Sequence, residues 1–186
     1  RRPAVRSAHN QGCPQLRVIG EKMSEAKQNM VSTAEEYCRL IESAGSNGHG
    51  DAWLSRLLQL LPSIHAAMAA LGANADDAEP MKADLDARFE LFTQLRQLLG
   101  DRDAYWMQFD STQDGHQMSG SLADDLTDIY CELKYGLSRL DNKHDRDATI
   151  SSWQKGYQVH WGQHLVDAER HLYELSARDE LGLANG

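Results

Sequence analysis

From about residue 24 onward, apolar residues return every three or four positions through nearly the whole chain, and no alternating run of strand length competes with them. A repeat near 3.6 places those side chains on one stripe of a helix, and such a stripe must be buried against another element. The spacing therefore predicts an all-α fold, a single bundle of about five helices. No segment recurs at the 20 to 50 residue period typical of solenoids.

The first predicted helix covers roughly Ser24 to Ser43, with Val31, Ala34, Tyr37, Cys38 and Ile41 on one face, and gives way to a glycine-rich loop at residues 44–50. The second, about Asp51 to Leu71, aligns Trp53, Leu57, Leu60, Leu61, Ile64 and Met68; Pro62 inside it predicts a kink near Leu58. The third begins near Pro80, runs to Leu99 with Met81, Leu85, Phe89, Phe92, Leu95 and Leu99 as its core stripe, and stops at Gly100. A connection of about twenty residues follows, Asp101 to Gly120, long for a compact domain. Its aromatics Tyr105, Trp106 and Phe109 point to packing, with a short helical turn around Tyr105. Ser121, with Asp124 three positions later, opens the fourth helix in the manner of a capping box. That helix carries the clearest stripe: Leu122, Leu126, Ile129, Tyr130, Leu133, Leu137 and Leu140. The last helix runs from about Ala148 to Ala177, locally weakened by Gly156 and Gly162, and residues 179–186 form a frayed tail.

The formal charge of -9 averages two unlike pieces. Residues 1–22 hold Arg1, Arg2, Arg6, Arg17 and Lys22 against Glu21, a balance of +4, so the other 164 residues hold 14 basic and 27 acidic groups, or -13. The leader lacks the apolar run of a secretory signal, and Pro3 and Pro14 interrupt it as an amphipathic transit peptide. It is expected to be a non-domain segment ahead of a true start at Met23, with one helical domain over 23–178. No stretch approaches the roughly 18 apolar residues of a membrane span, the longest candidate lying around Leu57 to Leu71. Cys13, Cys38 and Cys131 are too widely spaced for a zinc ribbon or a disulfide framework, and a reducing, cytoplasmic setting is the expectation. An acidic domain without a basic stripe speaks against nucleic acid and for a protein partner.

Function-bearing residues concentrate on the last two helices. Projected at 100° per residue, Trp153, His160, His164, Asp167 and His171 fall on one flank of the core stripe formed by Ile150, Tyr157, Trp161, Leu165, Ala168, Leu172 and Leu175. Imidazoles one turn apart can share a metal ion completed by carboxylates from a facing helix, and histidine beside Asp167 can also serve acid and base chemistry. On the fourth helix Asp125 and Glu132 are placed to meet something across a groove, whereas Asp124 and Asp128 project away from the apolar stripe, as on a solvated face. The chain lacks HExxH, the ExxH of di-iron bundles, a phosphate-binding glycine loop and GxSxG. Cys38 and Cys131 read as buried thiols rather than nucleophiles.

The run from Gly120 through Ser-Leu-Ala-Asp-Asp-Leu-Thr-Asp-Ile-Tyr-Cys-Glu-Leu-Lys-Tyr-Gly to Leu137, with Trp153 and the stretch His160-Trp161-Gly162-Gln163-His164-Leu165-Val166-Asp167-Ala168, resembles the bacterial family catalogued as domain of unknown function 5063. The resemblance implies a small helical protein without an assigned activity, substrate or cofactor. Carried over residue by residue, its pattern falls on Asp124, Asp125, Asp128, Tyr130, His160, Trp161, His164 and Asp167. The expected role is a non-catalytic interaction or regulatory module whose recognition seam comprises Asp125, Asp128, Glu132, Tyr130, His160, Trp161, His164 and Asp167, edged by Tyr105, Trp106 and Asp110. No cofactor is expected on that reading. The rival is a divalent-metal or acid/base enzyme using His160, His164 and Asp167 with Asp125 or Glu132. It requires both imidazoles within about 10 Å of an acid on the fourth helix.

Overall fold

The helical periodicity is realised as five rods among the residues that the computed structural model describes: 14–45, 50–72, 84–108, 117–141 and 146–181. They are α1 (Pro14–Glu42), α2 (Gly50–Leu71), α3 (Leu85–Leu99), α4 (Leu122–Asp141), and a last rod built from α5 (Arg146–Gly156), a π-helical turn (Tyr157–Trp161) and α6 (Gly162–Ala177). Gly156 and Gly162 keep helical backbone angles, so the last rod is unbroken.

The expected stripes of α1 and α2 are buried with Leu122, Leu126, Ile129 and Leu133 of α4, whose Tyr130, Leu137 and Leu140 are half-buried against them, and Trp161, Leu165, Ala168, Leu172 and Leu175 of the last rod join them in one core. α4 lies at its centre, packed by α1, α3, α5 and α6. Helix α1 begins ten residues earlier than expected, at Pro14, a residue well suited to a first helical turn because it has no amide hydrogen to leave unpaired. Helix α2 is, by length and composition alone, apolar enough to cross a membrane; its leucines, Trp53, Ile64 and Met68 pack in the core, while Ala66, Ala69 and Ala70 face solvent. Proline 62 faces solvent within it.

Three expectations fail at α3 and the connection after it. Helix α3 starts at Leu85, not near Pro80, because Asp84 caps it, its carboxylate accepting from the Asp86 and Ala87 amides at 3.1 Å. Leu85 and Phe89, assigned to the core stripe, are 72% and 67% exposed. Arg88 takes the inward position, so the buried face runs from it through Phe92 to Leu95 and Leu99; Pro80 and Met81 lie outside the described residues. Tyr105 is in a strand, not a helical turn: β1 (Ala104–Gln108) pairs antiparallel with β2 (Gln117–Ser121), in register from Ala104 opposite Ser121 to Gln108 opposite Gln117. Tyr105 is buried and Trp106 69% exposed, the alternation of a strand too short to read from sequence. Phe109 and Asp110 lie outside the described residues.

The hairpin hands the chain directly to α4. Ser121 Oγ accepts from the Asp124 amide at 3.2 Å, as a capping box requires, and donates to Asp103 Oδ1 at 2.9 Å. Asp103 adds a second cap from outside the helix, accepting the Ala123 amide at 2.8 Å.

Candidate functional site

Helix α4 places Asp125, Asp128 and Glu132 on one face at spacings of three and four, and all three are buried. Buried carboxylates are stable only with partners. Two come from the last rod. His164 Nδ1 lies 2.8 Å from Asp125 Oδ1, and His160 Nδ1 lies 3.3 Å from Glu132 Oε1. Both rings then turn Nε2 toward one atom, Asp128 Oδ2, at 3.3 Å from His164 and 3.9 Å from His160. The ligand atoms of Asp128, His160 and His164 lie within 4.8 Å of one another. This satisfies the distance condition set by the sequence for a metal reading.

Each of the three groups has an outer partner. Tyr105 donates to Asp125 Oδ2 at 2.5 Å, fixing the carboxylate that holds His164. Glu132 holds His160. Arg88 grips Asp128 with Nε at 2.7 Å and Nη2 at 2.9 Å, and reaches Asp124 at 2.8 Å. His160 marks the mouth, its side chain 44% exposed, while Asp128 forms the floor.

The π-helical turn supplies the local geometry. A π turn holds one residue more than an α turn and is found mostly where a site must be re-aimed. Here Gly162 permits it: a Cβ at that position would stand 2.3 Å from the Tyr157 carbonyl oxygen. Glycine 162 therefore serves the turn within its own rod, not a close approach of two helices. Trp161 Nε1 donates to the Trp153 carbonyl at 3.2 Å, and Trp153 Nε1 donates to the Glu132 carbonyl at 3.1 Å, locking the turn onto α4.

Electrostatics follow from burial and these contacts. Burial alone would lower the His164 pKa, but the hydrogen bond to Asp125 and the charges of Asp125, Asp128 and Asp124 outweigh it, and the net direction is upward. Burial raises Glu132 and Asp125, opposed by their histidines and, for Asp125, by Tyr105. Burial also raises the thiols, Cys38 to about 12 and Cys131 to about 11, so neither is a nucleophile at neutral pH. A group whose folded pKa is raised contributes stability that is present below its unfolded value and lost as pH rises through its folded value. The protein is thus expected to lose thermal stability as pH rises past the ordinary histidine value of 6.5, read by calorimetry. A Tm that climbs through that range contradicts the charged pairing of His164 with Asp125.

The family model described as Domain of unknown function (DUF5063) matches residues 21–178. The chain belongs to that family. The crystal structure of protein BF1032 from Bacteroides fragilis shares the fold of this DUF5063 member, with a TM-score of 0.64 at 20% identity over 79% of this chain and 89% of that one. No curated protein matches the chain.

Of the seam residues named from the sequence, the DUF5063 fold brings Asp125, Asp128, Glu132, His160 and His164 together. It separates the others. Tyr130 donates to Glu42 on α1 at 2.9 Å, beside Lys134. Trp161 is wholly buried and supports the π turn. Asp167 accepts from Gln163 at 2.8 Å and lies outside the cluster that faces Asp128. His171 is buried against Tyr105, with ring centroids 4.7 Å apart. Asp128, assigned to a solvated face, is instead covered by α3 and the last rod, because α4 is packed on nearly every side. Arg88 was missed. A charged residue between exposed Leu85 and Phe89 gives no signal until the partner helix is known.

Proposed function

We propose that this protein binds a divalent metal ion through Asp128 Oδ2, His160 Nε2 and His164 Nε2. One observation carries the reading: two imidazoles are each held at Nδ1 by a separate carboxylate while both present Nε2 to a third. Carboxylate-to-histidine-to-metal relays have this layout, in which the outer acid fixes the tautomer and aims the ring. The spacing is also suitable. Two donors bonded to one tetrahedral ion at about 2.0–2.1 Å stand roughly 3.4 Å apart, against 3.3 and 3.9 Å for the two Asp128 edges. Two nitrogens and one oxygen suit zinc, iron, cobalt or manganese better than calcium or magnesium. Three protein ligands leave coordination positions open, the pattern of sites that act on a ligand rather than brace a fold.

Cobalt(II) titration tests the proposal, since d–d absorption reports the ligand set. Saturation near one ion per chain, displaced by zinc, supports it; weak binding with the spectrum of the hydrated ion refutes it.

A second reading, the non-catalytic interaction module, draws on large apolar side chains left in solvent at Leu85, Phe89, Trp106 and Val159. The acidity of the chain favours a basic protein partner over nucleic acid. A partner captured equally by metal-loaded and metal-free protein favours this second reading.

A further inference from the structure

The hairpin reaches the proposed centre through the Tyr105 hydroxyl. Tyr105 on β1 donates to Asp125 Oδ2 at 2.5 Å, and Asp125 Oδ1 faces His164 Nδ1 at 2.8 Å. Direction matters in this chain. A carboxylate that accepts from tyrosine on one oxygen accepts from the imidazole on the other, so Nδ1 carries a proton and Nε2, facing Asp128, is the nitrogen that gives up its proton to take an ion.

The tyrosine ring has no freedom to swing away. His171 stacks on one face with planes 28° apart, and the Arg170 guanidinium lies 5.3 Å from the ring centroid. A Cβ on Gly120, across the hairpin, would come within 2.2 Å of Tyr105 Cζ, so the strand opposite is shaped around the ring. His171 is fixed in turn, its Nε2 donating to the Arg102 carbonyl at 2.8 Å. A buried aromatic needs none of this for packing alone; the restraints all fix where the hydroxyl sits.

We infer that Tyr105 is a positioning residue of the metal centre: its hydroxyl holds Asp125 in the orientation that fixes the His164 tautomer and aims Nε2 at the ion. This deepens the metal reading and rests on it. The residue is twenty positions from Asp125 and on a different kind of element, so the hairpin belongs to the site's outer shell.

The test is a double-mutant cycle read by cobalt(II) affinity, using wild type, Tyr105→Phe, Asp125→Asn and the double variant. Tyr105→Phe keeps the ring, its stacking and its packing. It is expected to weaken affinity about tenfold, the lower end for outer-shell partners, and to alter the d–d band of the bound cobalt. In the Asp125→Asn background the same change is expected to cost nothing further, because the tyrosine acts through that carboxylate. Affinity of Tyr105→Phe within twofold of wild type with an unchanged band overturns the inference, and so does an equal loss in both backgrounds. If Asp125→Asn does not fold, the affinity and band of Tyr105→Phe alone decide. Wild type that takes up no cobalt defeats the metal reading itself, and this inference with it; wild type that binds while Tyr105→Phe binds equally well defeats only the inference.

Discussion

His164→Ala is expected to lower metal affinity by at least about 100-fold while the helical bundle persists. Outer-shell partners alone are worth 10–100-fold at comparable sites, and a direct ligand is worth more. His164 is the better held of the two imidazoles, at 2.8 Å from Asp125 against 3.3 Å for the His160–Glu132 pair, and it is nearer Asp128 Oδ2. Its loss removes a nitrogen donor and also frees Asp125 from half of its hydrogen bonding. The fold should tolerate this, because Asp125 keeps the Tyr105 hydroxyl and the core stripe of α6 is untouched. Isothermal titration with zinc, beside circular dichroism of the metal-free variant, reads both halves. Retained affinity removes His164 from the ligand set.

The second large effect is expected at Gly162, in the direction opposite to helix propensity. In an ordinary helix interior, glycine to alanine gains about 1 kcal/mol. Here the new methyl would stand 2.3 Å from the Tyr157 carbonyl oxygen, a backbone atom that cannot rotate aside. The π turn has to rearrange, and it carries His160. Gly162→Ala is expected to destabilise by about 1–3 kcal/mol, the usual range for overpacking. For a chain of this size that is a fall of roughly 3–10 °C in Tm. Metal affinity should drop at least tenfold, as His160 loses its approach to Asp128. A variant as stable as wild type, with unchanged affinity, contradicts the role given to the π turn.

Why some of this was legible in the sequence and some not has physical reasons. The stripes of α1, α2, α4 and α6 could be read because each helix buries one broad face, and burial imposes the 3.6 period directly. The pairing of His160 and His164 with Asp125 and Glu132 could be anticipated because both sets flank those stripes. Four features escaped. Asp128 projects away from the α4 stripe, and only the packing of α3 and the last rod around α4 buries it. Arg88 holds Asp128 through a helix contact that no single-helix projection contains. The hairpin depends on Gly120 fitting against Tyr105 fifteen positions earlier, a long-range match that local alternation over five residues cannot reveal. The π turn adds one residue to the helical count between Trp153 and His164, which a uniform 100° projection leaves out, and His171 stands two turns beyond His164 on the regular α6. The structure sets both apart, Trp153 against Glu132 and His171 against Tyr105.

Anomalous scattering from crystals grown with zinc tests the central claim most directly. The account predicts one strong peak at about 2.0–2.2 Å from each of Asp128 Oδ2, His160 Nε2 and His164 Nε2, with Asp125, Glu132 and Arg88 in the layer behind them and Tyr105 behind Asp125. Zinc bound elsewhere, or these three groups bonded to one another with no ion between them under saturating zinc, would contradict it.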